Sequence, residues 1–415
     1  MTRRSLVLAM LAAVSVLTFL DRMAIAIAEP SVRQDLHLSP VAWGWVLSSY
    51  ILANALFELP SGALGDRWGQ RQELARISIW WSIFTALTGW CRSLGQLVAA
   101  RFLFGLGAAG AYPNASGVIA RWFPPQQHAR AQGVVWGASR LGGALAPLLL
   151  IPLFGKLGWR SAFWLLGAAG VVWGLVWLVW FRNLPSQMHG VSAQELAELE
   201  PTQMEPAAPV PWRRLARHTQ LQRIALAYFC YAWGSWFYFG WFTTWLVQGA
   251  GFSRSSLRIV AALPFVLGLA SNLVGGQLAQ RLVMREGPRT GYRLLCSVCL
   301  AATALMLFGL AAVRQSWAVV VLAALGLGVM DLMLPAAWAM CLRIGGSYGG
   351  AATGVMNTFG NLGGWVGAIV FGYVVKLSGS YRIPLLVIAG MVLAASLLFW
   401  RVDCSQPIEA APPQR

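Results

Sequence analysis

Arg22, Arg101 and Arg140 each interrupt a long apolar run, and these are the positions in the chain with the most chemistry to offer. A guanidinium at bilayer depth costs roughly 2.5–3.5 kcal/mol on insertion scales, so it persists only against a partner or a water-filled cavity. Fixed cations around one cavity suit an anionic solute. The competing role for each is an inter-helix ion pair or, for Arg140 in Ser139-Arg140-Leu141-Gly142-Gly143, contact with backbone carbonyls. Asp21 adjoins Arg22 and is a candidate proton acceptor. Glu58 and Asp331 also lie in apolar runs, either as further proton acceptors or as partners for a polar neighbour. Tyr228, Tyr231, Ser235 and Tyr238 recur at three- and four-residue intervals, which places them on one helical face. Hydroxyls on that face would meet a polyol chain, or the rings would serve in packing and at the membrane interface.

The elements that must position these residues follow from composition. The 415 residues are 58% hydrophobic and 11% charged, with a mean hydropathy of +0.61. A soluble globular protein carries about 25% charged residues. The pattern predicts an all-α membrane protein whose twelve transmembrane helices cover 5–28, 41–64, 75–95, 97–120, 130–153, 159–181, 221–248, 256–280, 292–313, 315–342, 349–375 and 381–401. No alternating ten-residue stretches of the β-barrel kind occur. At 1.5 Å per residue, Arg22 lies roughly 25 Å from the start of the first helix and Arg101 roughly 6 Å into the fourth. Both fall in the outer half, where Asp21 would reach Arg101, while Arg140 falls near the midplane.

The net charge of +17 reflects topology rather than a nucleic-acid surface. With both termini inside, 19 Lys and Arg lie on the cytoplasmic side and 9 outside, among the latter Lys156, Arg160 and Arg254. That asymmetry predicts N-in and C-in. Residues 1–28 imitate a secretory signal, but Asp21-Arg22 precedes the Ala-rich stretch, and cleavage would leave an odd number of spans. The six cysteines lie mostly within the apolar segments and read as small apolar residues rather than a disulfide framework.

One long polar stretch divides the chain. The expected units are a six-helix bundle over 1–181, a cytoplasmic linker over 182–220, a second six-helix bundle over 221–402 and a tail over 403–415. The linker holds a capped helical turn at Ser192 to Glu198, a proline-rich run from Pro201 to Pro211, and a basic patch. Gly62-Ala-Leu-Gly-Asp66-Arg67-Trp-Gly69-Gln-Arg71 has a degraded copy at Gly276 to Arg281, and Leu141-Gly142-Gly143 has a counterpart in Asn361-Leu362-Gly363-Gly364. Such a parallel duplication fits alternating-access transporters, whose substrate site lies between the halves.

In the first of these motifs Gly62 permits close helix packing, Asp66 caps a helix or pairs with an arginine, and Arg67 and Arg71 supply a cytoplasmic cation layer. The stretch resembles the loop signature of the major facilitator superfamily, which implies a charge latch stabilising one access state; a charged turn that only sets topology is the alternative. The likeness narrows further along the chain. Leu20-Asp21-Arg22, Arg101 to Gly105 with Tyr112-Pro113-Asn114, Tyr228 to Tyr231, Leu334 to Trp338 and Asn357 to Gly364 resemble the anion:cation symporter family, in its bacterial sugar-acid and organic-acid branch. The resemblance implies that Asp21 takes part in proton coupling, that Arg22 coordinates a substrate carboxylate, that Arg101 adds a second cation or an ion-pair partner, and that Asn357 and Asn361 line the sugar-acid site. A substrate carboxylate competing for the arginine would free Asp21 to take a proton. Two positions depart from the family pattern: a glutamate usual seven residues after the fourth-helix arginine is Ala108, and Arg343 stands where an acidic residue often follows the tenth helix.

Other patterns carry nothing. Gly105-Leu-Gly107-Ala-Ala-Gly110 spells a dinucleotide fingerprint, yet no strand precedes it, and helix packing accounts for it. Cys296-x-x-Cys299 lacks a second ligand pair, and Asn114-Ala-Ser116 falls inside a span. The expectation is therefore a non-enzymatic transporter of the bacterial inner membrane. It would import a small organic anion, use protons as coupling ion without a cofactor, contact the lipid bilayer and no nucleic acid, and act as a monomer. An efflux transporter of the same fold and a transporter-like receptor signalling through the linker are the alternatives.

Overall fold

The computed structural model describes residues 2–38, 40–199, 210–253 and 257–408. The segment 201–209 of the proline-rich run, Arg254 and the end of the tail lie outside the described residues. The helices are α1 (Arg3–Asp35), α2 (Pro40–Trp68), α3 (Gln70–Thr88), α4 (Leu94–Ala108), α5 (Ala111–Trp122), α6 (His128–Trp180), α7 (Ala193–Ala197), α8 (Trp212–Arg217), α9 (Thr219–Gly240), α10 (Phe242–Thr244), α11 (Leu257–Ala312), α12 (Ser316–Leu332), α13 (Leu334–Gly345), α14 (Gly349–Ser378) and α15 (Arg382–Trp400). No strand occurs among the described residues.

These helices make twelve crossings. The two longest, α6 and α11, each turn back once, at Gly158 (φ 72°) and Gly287 (φ 81°). Both glycines adopt backbone that a Cβ would oppose, and both fall in gaps predicted between spans. Two crossings are built from a broken pair, α4–α5 and α12–α13. The first break sits at Gly110 (φ 80°), where a Cβ would strike the Ser61 hydroxyl. By length and composition six stretches are apolar enough to cross a membrane, and those of 53 and 63 residues each contain two crossings. Leu148 and Leu305 are each 70% exposed, as a lipid-facing surface requires. The chain is thus a multi-pass membrane protein.

The halves meet through two pairs of glycines placed by the sequence repeat. A Cβ on Gly62 of α2 would come 2.9 Å from the Gly350 carbonyl oxygen of α14. A Cβ on Gly276 of α11 would come 2.6 Å from the Ala129 carbonyl oxygen and 3.2 Å from the Gly133 Cα, both on α6. The backbones therefore touch at the end of the molecule that carries Asp66, Arg121 and Arg343. The linker turn is capped as expected, with the Glu195 amide donating to the Ser192 hydroxyl at 3.1 Å and the Ser192 amide donating to Glu195 at 3.2 Å. Arg4 straps that turn to α1 through Glu198 at 2.7 Å and the Glu195 carbonyl at 2.7 Å.

Candidate functional site

Two of the three apolar-run arginines converge. The Arg22 guanidinium of α1 lies 5.3 Å from the ring centre of Tyr50, and that of Arg101, from α4, lies 5.4 Å from the same ring. Phe19 (5.0 Å from Arg22) and Phe104 (4.2 Å from Arg101) complete the aromatic surround. Faces of aromatic rings attract cations without neutralising them. Arg101 is 1% exposed, yet its Nε and one terminal nitrogen have no hydrogen-bond partner, and the Arg22 Nε is likewise buried and unpartnered. Buried polar groups are nearly always satisfied, so these donors mark a place built to receive acceptors.

Arg22 opens on a narrow cavity that it shares with Tyr50, Ile51, Asn54, Trp236 and Asn361. Its far wall comes from the other bundle: the Asn361 amide of α14 donates to Asn54 at 3.4 Å and to Glu58 at 3.5 Å, and Asn357 faces the same Glu58 carboxyl. Positions 50, 54 and 58 on α2 and 357 and 361 on α14 each step by four, so two polar stripes meet across the interface.

Asp21 is buried but takes another direction. Its carboxyl faces Trp81 and Thr85 of α3, and Arg101 is its neighbouring charge, although no ion pair forms between them among the described residues. Asp21 therefore sits inside the first bundle, against α3 and beside Arg101. Arg140 also differs from its two companions. It makes a two-pronged ion pair with Asp331 of α12, at 2.6 and 2.8 Å, with Phe239 5.1 Å from its guanidinium. Asp331, read from sequence as either a proton acceptor or a structural partner, has the partner that reading required. Tyr228, Tyr231 and Tyr238 do form one face, but that face looks onto Arg140 and Asp331 rather than onto Arg22. Tyr228 also accepts from the Trp338 indole at 3.0 Å.

The motif around Gly62 separates into parts. Asp66 accepts the Ala351 amide of α14 at 2.6 Å, with Arg121 nearby, so Gly62 and Asp66 bridge the bundles. Arg67 is exposed. Arg71 binds the Leu178 carbonyl at 2.7 Å and its amide the Asn183 side chain at 2.8 Å, which keeps it within the first bundle. Gly105 lies against the Tyr50 carbonyl (2.6 Å from a built Cβ), the close helix packing expected of that glycine run. No metal-binding cluster and no disulfide occurs among the described residues. Sequence reasoning passed over Tyr50, Asn54 and Trp236. The four-residue spacing of Tyr50, Asn54 and Glu58 was the signal that would have found the first two.

Comparison with known proteins agrees with this architecture. The family profile of the Major Facilitator Superfamily matches residues 11–368. A probable sulfoacetate transporter of Cupriavidus necator is 31% identical over 400 residues, 95% of this chain and 92% of that protein. A hexuronate transporter of Bacillus subtilis is 25% identical over 386 residues, 92% of this chain and 90% of that protein. The crystal structure of the human organic anion transporter MFSD10 superposes with a TM-score of 0.76 over 96% of this chain and all of that one, at 16% identity.

Proposed function

The chain belongs to the Major Facilitator Superfamily, in its anion:cation symporter branch, and from that premise we propose that it imports a small organic anion bearing one or two acidic groups, driven by protons. The observation that carries the reading is the pair of guanidiniums flanking Tyr50 with buried, unpartnered N–H donors. An acid head between them would gain charge-assisted hydrogen bonds that the rings do not supply. Relatives named for sulfoacetate and hexuronate handle solutes with such heads, and sulfoacetate carries two.

In this reading Arg22 and Arg101 hold the acid group, and Asn54, Asn357 and Asn361 contact the rest of the solute. Since those asparagines come from both bundles, occupancy would favour the bundles drawing together over the solute, as alternating access requires. Asp21, buried beside Arg101, is a proton acceptor that responds when a bound anion takes up the field of that arginine. The arginine distribution supports placement in a bacterial inner membrane with both termini cytoplasmic. The Asp66 contact then closes the cytoplasmic end, which leaves the Arg22 cavity to face outward.

The test is accumulation of labelled sulfoacetate or a hexuronate in proteoliposomes with an imposed inward proton gradient. Accumulation that collapses with a protonophore is expected. Binding without flux would identify a receptor, and outward movement against the gradient an exporter; either result overturns the import reading.

A further inference from the structure

The Arg140–Asp331 pair lies outside the Arg22 cavity and joins the bundles at the depth where they must move. Arg140 comes from the first arm of α6 and Asp331 from α12, with exposures of 3% and 0%. The seat is shaped for the carboxylate. A Cβ at Gly268 of α11 would occupy the place of an Asp331 oxygen, so this position must lack a side chain. The titratable and charged groups facing Asp331 are Arg140 from α6 and Tyr228, Tyr231 and Tyr238 from α9, and Tyr112 of α5 faces the Arg140 side. The Tyr238 hydroxyl is buried with no hydrogen-bond partner. One turn away toward the Asp66 end, Tyr112 stacks on Trp136 at 4.3 Å and Trp136 meets Trp338 at 5.1 Å, an aromatic floor shared by both bundles.

We propose that the Arg140–Asp331 pair is an electrostatic lock between the bundles that opens by protonation of Asp331, linking proton uptake to the change of access. Pulling α6 from α12 with both charges intact would strand two ions in a dry interior, a strongly unfavourable state. A proton from water that enters between the bundles as they begin to part forms an O–H bond on one Asp331 oxygen, and the two N–H···O contacts from Arg140 give way. The neutral acid then keeps tyrosine hydroxyls as partners, and Arg140 retains the face of Phe239. When the bundles close again the proton leaves to water and the ion pair re-forms. The proposal deepens the proton-coupled reading above and rests on it.

The test uses the full chain in proteoliposomes, with Asp331→Asn, Arg140→Gln and the double variant. Two readouts are taken: counterflow of labelled sulfoacetate or a hexuronate at equal pH on both sides, and anion-driven proton uptake from a trapped pH dye. Asp331→Asn is expected to retain counterflow but to lower the proton-to-anion ratio, leaving only the uptake that Asp21 carries, and to weaken the pH dependence of net transport. Arg140→Gln alone, which strands the carboxylate, impairs counterflow, and the double variant restores counterflow but not the wild-type proton-to-anion ratio. A purely structural pair would let the double variant recover both activities; that result, or a wild-type proton-to-anion ratio in Asp331→Asn, overturns the lock. Absence of counterflow in the wild-type chain with both probes overturns the anion-transport reading instead.

Discussion

Asp66 reaches out of its own bundle to satisfy an amide that α14 cannot satisfy itself. Ala351 is the third residue of α14, and the first four amides of a helix have no partner within it. The carboxylate accepts that amide at 2.6 Å and also meets the positive end of the helix dipole. A hydrogen bond to a charged group is worth about 1.5–3 kcal/mol. Arg121, from the same bundle as Asp66, lies near it and offsets part of that, so about 2 kcal/mol is the share that depends on the bundles touching. Asp66→Ala is therefore expected to raise the population open at this end about thirtyfold, and Asp66→Asn, which keeps an acceptor without the charge, about three- to tenfold. Hydrogen–deuterium exchange of the peptide spanning 349–354 reads this population directly, because the Ala351 amide is protected only while the latch is closed. Exchange in Asp66→Ala at the wild-type rate would show that Asp66 does not hold this end closed, as would faster exchange spread evenly over α9 and α15, which contribute nothing to this contact.

Gly62→Ala should act in the same direction by another route, since its Cβ would press on the Gly350 carbonyl oxygen; the 349–354 peptide should exchange faster while the thermal midpoint changes little. Gly110→Ala should instead lower the midpoint, because left-handed backbone costs about 1–2 kcal/mol for a residue with a Cβ and the Ser61 hydroxyl stands in the way; an unchanged midpoint would mean the α4–α5 break relaxes freely. Burial of Glu195 favours its neutral acid, but the Arg4 and Ser192 amides and the Arg4 charge outweigh that and hold its carboxyl below the ordinary 4.5. A depressed carboxyl contributes stability that is complete above its unfolded value and fades as pH falls through the folded one. The midpoint difference between wild type and Glu195→Gln should thus be full at neutral pH and shrink on acidification below 4.5; a difference independent of pH would assign the strap to something other than charge.

The spans were legible because lipid-length apolar runs admit one interpretation, and the turns at Gly158 and Gly287 fall in gaps that polarity and glycine had marked. The breaks at Gly110 and Met333 were not, since no loss of hydropathy accompanies them. Among the site residues, buried charge identified Arg22 and Arg101 and helix depth set Arg140 apart at the midplane, yet nothing in the one-dimensional pattern shows that Arg140 is already paired. The difference lies in Asp331, which stands 191 positions away and becomes a partner only when α12 packs on α6. Asp21 shows the same limit: its neighbour in sequence is Arg22, while its neighbours in space are Trp81 and Thr85. The tyrosine face of α9 was read correctly as a face, but the direction it looks is a property of helix rotation in the bundle.

Arg22 and Arg101, with their buried unpartnered N–H donors, would share one anion, and calorimetric titration of the detergent-purified chain with sulfoacetate and a hexuronate measures that most directly. Each of Arg22→Gln and Arg101→Gln removes a charge-assisted contact of about 1.5–3 kcal/mol, so affinity should fall about ten- to 150-fold in each and become undetectable in the double variant. Wild-type affinity retained in both single variants would exclude Arg22 and Arg101 from the anion site.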